Sequence, residues 1–255
     1  MTISTRDACP VAISRGAAYR AQVDVRAASS QPLDSARLLL TADVVRRVVE
    51  DHCAGQMWLA VVADRVDANS PVRHCSRALG VREPAVWVNT PDRAQLALNG
   101  PPQIVVQPAD QPVAAMTSRP AVLGVGSATT PRQSSVGLFE DFEATVIRLA
   151  LLRFTWRDPA SLSNARLQRA EQTLERWRGK VADWADMPAA PMSARVVDGI
   201  RTALASDFDT ATALMLLHRL ETDLAVESGS KFETFMYADR VLGLDLAHLV
   251  GRFRR

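Results

Sequence analysis

The stretch that decides the second half of the fold is Ala144–Trp177, which reads ATVIRLALLRFTWRDPASLSNARLQRAEQTLERW. Apolar residues recur at helical spacing from Phe139 through the first part of this stretch, towards Trp156. Asp158–Pro159 should end that helix, because a residue before proline avoids helical geometry. Ser163 or Asn164 can cap a second helix. The apolar residues of that second helix follow spacings of 3, 4, 3, 4 and 3: Leu167, Ala170, Leu174, Trp177, Val181 and Trp184. This pattern predicts helices that pack along their length against other helices.

The chain after this stretch continues the helical pattern. Ser193 and either Asp207 or Asp209 are suitable caps for two more helices, and Gly243 suits the C-terminal end of a last one. Leu214, Leu217 and Leu224 are expected to point inward. Residues 136–255 are therefore predicted to form a helical bundle, in which Trp156, Trp177 and Trp184 belong to the core.

The chain before this stretch has the pattern of an α/β fold. Tyr19–Val25 predicts a short strand, Leu38–Asp51 an amphipathic helix, and Met57–Val62 a buried strand. A strand, a helix and a strand in this order make one βαβ unit, whose two strands pair in parallel. Two further short strands are predicted at Ala85–Val88 and Gln103–Val106.

Residues 70–135 are rich in proline and have little helical periodicity. Gly124–Ser135 is small and polar, which indicates a mobile loop. Gly124-Val125-Gly126-Ser127 lacks the spacing and the lysine of a phosphate-binding loop, so a flexible linker is favoured there. The fold class is thus α/β plus α: an irregular lead-in (1–19), a reduced Rossmann-like domain (20–135) and the helical bundle (136–255).

Composition narrows the function classes. The 255 residues are 47% hydrophobic and 23% charged, as in ordinary globular proteins, and the net charge of +2 gives no argument for strong sequence-independent nucleic-acid binding. No apolar run has the roughly 18 residues of a membrane helix, and no signal peptide is evident, so we expect a cytoplasmic protein. Cys9, Cys53 and Cys75 show neither a disulfide nor a zinc spacing and are interpreted as structural thiols.

The helical half resembles the C-terminal helical region of cysteinyl-tRNA synthetases, a DALR-like region. Glu143–Trp184, which includes the stretch quoted above, is similar to the helices after that family's signature lysine loop. Leu204–Leu224, LASDFDTATALMLLHRLETDL, and Arg240–Leu246, RVLGLDL, are similar to its closing helix and LGL element. The bacterial ligase that joins cysteine to glucosaminyl-inositol in mycothiol synthesis is similar in the same places. LERWR at Leu174–Arg178 resembles this ligase slightly more than it resembles the synthetases.

The N-terminal half resembles the family more faintly. Ser35–Asp51 and Met57–Ala68 look like the helix, strand and turn that follow the family's HIGH motif. Where the family has HIGH, this chain has Pro32-Leu33-Asp34-Ser35, and where it has the KMSKS loop, this chain has Thr130-Pro131-Arg132-Gln133-Ser134-Ser135. The family's zinc ligands also have no counterpart. The resemblance therefore implies a degenerate, truncated paralogue, with no catalytic residue, metal or other cofactor expected.

Three functions stay open from the sequence. The first is a catalytically inactive cysteinyl-tRNA synthetase-like protein that binds a protein partner in a regulatory or scaffold role. The second is an RNA-binding accessory protein of tRNA or the ribosome, and the third is an ATP-dependent cysteine ligase with a reworked site. Neither membrane nor DNA binding is indicated.

Two sets of residues are candidate binding sites. Asp64, Arg65 and Asp67 follow a buried strand, where α/β sheets bind ligands, although a capped and paired loop also explains them. The long helix carries a row of cations that RNA contact would explain: Arg166, Arg169, Arg176, Arg178 and Lys180. Glu171 and Glu175 lie among them, so a solvated face with i,i+4 ion pairs is the alternative.

Overall fold

The computed structural model of the chain describes residues 13–28, 32–112, 119–131 and 136–252. Five parallel strands form one sheet in the order β3-β2-β1-β4-β5. The strands are β1 (Ala18–Asp24), β2 (Gln56–Val62), β3 (Val86–Val88), β4 (Ile104–Pro108) and β5 (Ala121–Val125). The order reverses between β1 and β4, as it does in Rossmann folds, so the predicted Rossmann-like class is confirmed.

The helices of the sheet half begin with α1 (Pro32–Arg47), which continues into a π-helical turn at Val48–His52. The predicted helix, Leu38–Asp51, therefore has its first residue after the observed start of α1 at Pro32. Two short helices, α2 (Pro71–Ala78) and α3 (Pro91–Ala97), were not predicted. Each starts with proline directly after a capping residue, and proline is favoured at that first position because its missing N–H has no partner in a helix anyway.

The segment expected to be a flexible linker is ordered structure in its described part. Gly124 and Val125 end β5, which the sequence analysis missed, and β6 (Ala128–Thr129) pairs in parallel with β7 (Ala160–Ser161). Gly126 lies so close to the loop before β7 that an added Cβ would be 2.6 Å from the carbonyl oxygen of Arg157. The linker prediction was thus wrong for Gly124–Ser127, whereas Arg132–Ser135 lie outside the described residues.

The second half is helical, as predicted. Its helices are α4 (Val136–Asp141), α5 (Ala144–Leu152), α6 (Asn164–Ala185), α7 (Ala194–Asp207), α8 (Thr210–Thr222) and α9 (Ser228–Leu242). Ser163 caps α6 by accepting from the Arg166 N–H, and Asp209 caps α8 in the same way. Gly243 ends α9 with φ of +62°. The domain boundaries themselves stay a prediction.

Two details of the helical half were predicted wrongly. The helix expected to run from Phe139 towards Trp156 is in fact two helices. Helical structure is interrupted between α4 and α5, and α5 already ends at Leu152. Leu224 follows the end of α8 and is 99% exposed, whereas it was expected to point inward. Among the described residues, no helix has the length and apolar character needed to cross a membrane.

One hydrophobic core joins the two halves. It contains residues of the sheet and of α1, such as Val23 and Leu39, together with Leu149 and Phe235 from the helical half. Trp177 and Trp184 pack edge-on against Phe235, with ring centroids 5.5 and 5.1 Å away. Trp156 is buried too, so the three tryptophans belong to the core as predicted.

The sheet is covered unevenly on its two faces. Leu59 and Val61 of β2 point into the large core on the α1 side, whereas Ala60 and Val62 contact Ala94 and Leu98, in α3 and at its end, on the opposite side. Trp58 shares this second face and is 48% exposed. The beginning of β2 is therefore open to solvent on the α3 side.

Candidate functional site

A cavity of about 310 Å³ lies at the carboxyl edge of the sheet, beside the reversal of strand order. We call it the switch-point cavity, because α/β sheets of this kind bind ligands at that position. The segments after β1, β4 and β5 form its walls, together with the first turn of α1 and the loop before β7. The polar side chains that line it are Asp34, Asp110, Ser127 and Arg157.

Asp34 lies in the first turn of α1, where the resemblance places the HIGH motif. Its Oδ1 accepts a hydrogen bond from the Ala128 N–H at 2.5 Å. A helix N-terminus attracts anions, through its unpaired N–H groups and the positive end of its dipole. In this protein a carboxylate of the chain itself lies at that end, and it adds negative charge to the cavity.

Arg37 lies one turn further along α1 and is only 3% exposed. Its guanidinium donates to three backbone carbonyls: to Ser127 at 2.7 Å, to Thr155 at 2.7 Å and to Asp158 at 2.5 Å. Burial lowers the pKa of Arg37 to about 10, while Asp34 and Asp158 act in the opposite direction. The group thus stays charged at neutral pH, and its donors fix the loops around the cavity.

Arg157 supplies a second cation on the cavity wall. Its guanidinium pairs with Asp207, which ends α7, and it lies 4.0 Å from the centroid of the Trp156 ring. The indole N–H of Trp156 donates to the Asp207 carbonyl at 2.9 Å. These contacts fasten the loop before β7 to the helical half and hold the guanidinium at the rim.

The predicted ligand residues Asp64, Arg65 and Asp67 lie at the same edge of the sheet, after β2, and do not line the switch-point cavity. All three are exposed. Asp67 accepts from the Asn69 N–H at 3.1 Å, and Asp64 raises the pKa of Arg26, after the stronger effects of Asp24. The arrangement fits the capped and paired loop, and ligand binding there stays a prediction.

The predicted RNA-binding residues of α6 point in several directions. Arg178 is 6% exposed, and its guanidinium contacts Glu143 at 2.8 and 2.9 Å and the Asp245 carbonyl at 3.1 Å. Arg166 donates to the Ser161 carbonyl. Arg176 and Lys180 pair with Glu221, at 2.7 and 3.3 Å. Arg178 is thus used inside the protein, and RNA contact by the others stays a prediction.

Three arginines of interest, Arg37, Arg148 and Arg153, were not indicated by any sequence pattern. Arg37 and Arg148 stand among apolar residues of α1 and α5, Arg153 follows the end of α5, and their partners come from distant segments. Two cysteines have thiols that are not activated: burial raises the pKa of Cys53, and raises that of Cys75 to about 11, whereas Cys9 lies outside the described residues. Within the described ranges no three His, Cys, Asp or Glu side chains are placed to hold a metal ion.

The sheet order, the cavity beside the reversal and the helices that follow define a Rossmann-like α/β protein with a helical C-terminal region. No family model matches the sequence. A 68-residue segment is 50% identical to the L-cysteine:1D-myo-inositol 2-amino-2-deoxy-alpha-D-glucopyranoside ligase of Thermobifida fusca, over 27% of this chain and 16% of that protein.

Two further relatives agree with this match. The ligase of the same name from Mycobacterium tuberculosis is 35% identical over 112 residues, which are 42% of this chain and 26% of that protein. Cysteine--tRNA ligase of Rhodospirillum centenum is 33% identical over 85 residues, 33% of this chain and 18% of that protein. The resemblance to the cysteinyl-tRNA synthetase and cysteine ligase family is thereby confirmed, over segments that cover 16–26% of these relatives.

Proposed function

We propose that this chain is a cysteine ligase-like protein that does not activate cysteine with ATP and acts by binding a protein partner. The observation that carries the proposal is the charge at the start of α1. Among the described residues of α1, Asp34 and Leu38 line the cavity, and Asp34 is the charged one. Arg37, a buried cation one turn away, has its donors bonded to backbone carbonyls.

Adenylate formation needs the opposite arrangement. Negative charge develops on the α-phosphate in the transition state, and preorganised donors or cations must stabilise it. The only lysines of the chain, Lys180 and Lys231, belong to α6 and α9 of the helical half. A carboxylate at the helix N-terminus repels phosphate oxygens at short range, and this supports a binding role over a ligase.

The open part of the sheet supports a protein as the partner. Parallel sheets are normally covered on both faces, and here α3 covers only part of one face. Trp58 is exposed beside Arg20, its neighbour in the strand pairing. Tryptophan and arginine are enriched at the energetic centres of protein interfaces, so we place the contact there.

The test is affinity capture of the tagged chain from its host's lysate, with and without nuclease. Trp58→Ser should weaken capture of a stoichiometric protein, because it removes an exposed aromatic without opening the core. Leu224→Ser is the matched control, since it removes an exposed apolar side chain elsewhere. Capture that nuclease abolishes would favour the RNA-binding alternative, and equal loss in both variants would contradict the Trp58 surface.

A further inference from the structure

A second cavity, of about 490 Å³, lies wholly in the helical half, between the end of α5 and helices α6 and α8. We call it the arginine cavity, because Arg153, Arg169 and Arg176 line it. On its opposite side α8 supplies the apolar side chains of Leu214 and Met215, with His218 beside them. It is separate from the switch-point cavity and shares no lining residue with it.

Local sequence explains why the cations converge. Arg169, Thr173 and Arg176 are spaced four and three residues apart on α6, so they share one helical face. Arg153 ends α5 and donates from its Nη2 to the Thr173 hydroxyl at 3.0 Å. That hydroxyl in turn donates to the Arg169 carbonyl at 2.7 Å, which fixes its direction. Thr173 therefore holds Arg153 against the face of α6.

The positive charge of the cavity is only partly neutralised. Arg176 donates to Glu221, a buried carboxylate of α8 that also accepts from the Trp177 indole at 2.9 Å. In the part of the chain that the structure describes, no carboxylate lies within 4.0 Å of the guanidinium of Arg153 or of Arg169. One acid thus faces three arginines, and an excess of about two positive charges is left.

Two pKa directions agree with this charge distribution. Partial burial against α6 lowers the pKa of Arg153, and Arg176 and Arg169 lower it further by repulsion. Burial acts to raise the pKa of Glu221, but the hydrogen bonds from Arg176 and Trp177 outweigh it and hold that pKa below its ordinary value. Glu221 is thus ionised and paired at neutral pH, and it has no capacity to neutralise the other two arginines.

We propose that the arginine cavity is a binding site for a phosphate group, held by Arg153, Arg169 and Arg176. Guanidinium groups present paired donors that match the oxygens of a phosphate, and a dianion balances the two uncompensated charges. The apolar side of the cavity accepts the uncharged remainder of the ligand. The same chemistry fits a small phosphorylated molecule or the backbone of an RNA. This proposal is independent of the function proposed for the sheet half.

The first test is calorimetric titration of the full chain with inorganic pyrophosphate at low salt. Removing one charge-assisted hydrogen bond lowers affinity about tenfold or more, so Arg153→Gln combined with Arg169→Gln should weaken binding about a hundredfold. Arg195→Gln, an exposed arginine on α7 outside the cavity, is the control and should bind as the unchanged protein does. The side chains of Arg153 and Arg169 are largely open to solvent, so we expect the double variant to fold. A melting temperature equal to that of the unchanged protein would verify this.

The second arm uses a short RNA duplex to distinguish the two sources. The nucleic-acid backbone is identified as the ligand if two results are obtained. The RNA should compete with pyrophosphate, and the salt dependence of RNA binding should fall by about two ions in the double variant. Pyrophosphate binding without competition by RNA would identify a small phosphorylated molecule. The proposal is overturned if the unchanged protein does not bind pyrophosphate, or if the double variant binds it equally well.

Discussion

Arg148 of α5 donates from its Nη2 to Oδ2 of Asp43 in α1 at 2.6 Å, and both side chains are fully buried. The pair joins the helical half to the sheet half. The same guanidinium also donates to the Leu242 carbonyl at 2.6 Å and to the Leu79 carbonyl at 2.8 Å. Arg148 thus ties α5, α9 and the segment after α2 to one point on α1.

Asp43 is satisfied on every side. It accepts from Arg47 at 2.7 Å and from the Arg82 N–H at 3.0 Å, in addition to Arg148. Burial acts to raise its pKa, but Arg148 and Arg47 outweigh burial and lower it. The carboxylate therefore stays ionised at neutral pH. Without Arg148 it keeps Arg47 as its charged partner, whereas without Asp43 the buried Arg148 loses the carboxylate that it pairs with.

The first prediction concerns this pair. Arg148→Met should lower the free energy of unfolding by about 3–5 kcal/mol, because Asp43 and two carbonyls lose a buried donor. Asp43→Leu should be comparably costly. The double variant should lose less than the sum of the two, because the buried Arg148 and Asp43 charges are removed together and only the partly exposed Arg47 loses a partner. Urea denaturation of the four proteins measures this coupling.

The control for this cycle is Asp198→Asn, whose carboxylate is 75% exposed and lies 3.9 Å from Arg201. Such a surface change should stay within roughly 0.5 kcal/mol. Strict additivity of the Arg148 and Asp43 variants would contradict the account of a coupled buried pair.

The second prediction concerns His52, at the end of the π-helical turn after α1. Its ring stacks on Tyr237 of α9 with centroids 5.2 Å apart, and burial, followed by Arg201, lowers its pKa to about 4. The unfolded chain binds the proton near pH 6.5, so protonation favours unfolding. The contribution of His52 to stability is therefore complete above about pH 6.5 and is lost as the pH falls towards about 4.

Thermal melting across this pH range tests the point. His52→Phe keeps the stacking on Tyr237 and removes the titration, so its melting temperature should fall less with acidification than that of the unchanged protein. His74→Gln alters an exposed histidine and serves as the control, with the unchanged pH profile expected. Parallel curves for the unchanged protein and His52→Phe would show that His52 does not titrate on unfolding.

The third prediction concerns Gly126, on the wall of the switch-point cavity. Gly126→Ala should destabilise the chain by about 1–3 kcal/mol, because the new Cβ would meet backbone atoms of Arg157 and Asp158 at 2.6–2.7 Å. Gly137→Ala in α4 is the matched change, with no described atom within 4 Å, and should be neutral or slightly stabilising. Equal effects of the two changes in chemical denaturation would contradict the close packing of this wall.

Local sequence rules predicted the elements whose signals are local. The caps at Ser163 and Asp209, the αL end at Gly243 and the apolar spacing of α6 all lie where expected, because each depends on residues within a few positions. The same rules missed α2 and α3, since each is short and lies in a proline-rich region with little helical periodicity, although Pro71 and Pro91 each stand at a helix start.

The contacts of the buried arginines were harder to predict from the sequence. Arg37 and Arg148 owe their roles to carbonyls 69–121 residues away in the chain, and no periodicity of either helix indicates which carbonyls arrive. Arg178 was grouped with surface cations because its spacing on α6 is regular, yet Glu143 and the loop after α9 enclose it. Arg153 was overlooked, because its place in a cavity depends on how α5 meets α6.

The most direct test of the central claim is cysteine-dependent exchange of labelled pyrophosphate into ATP. We predict no exchange above background for the full chain, because Asp34 faces the switch-point cavity and Arg37 is bonded to carbonyls. A catalytically competent cysteine--tRNA ligase assayed in parallel verifies the assay. Exchange that requires cysteine and rises with protein concentration would contradict the account and establish the ligase alternative.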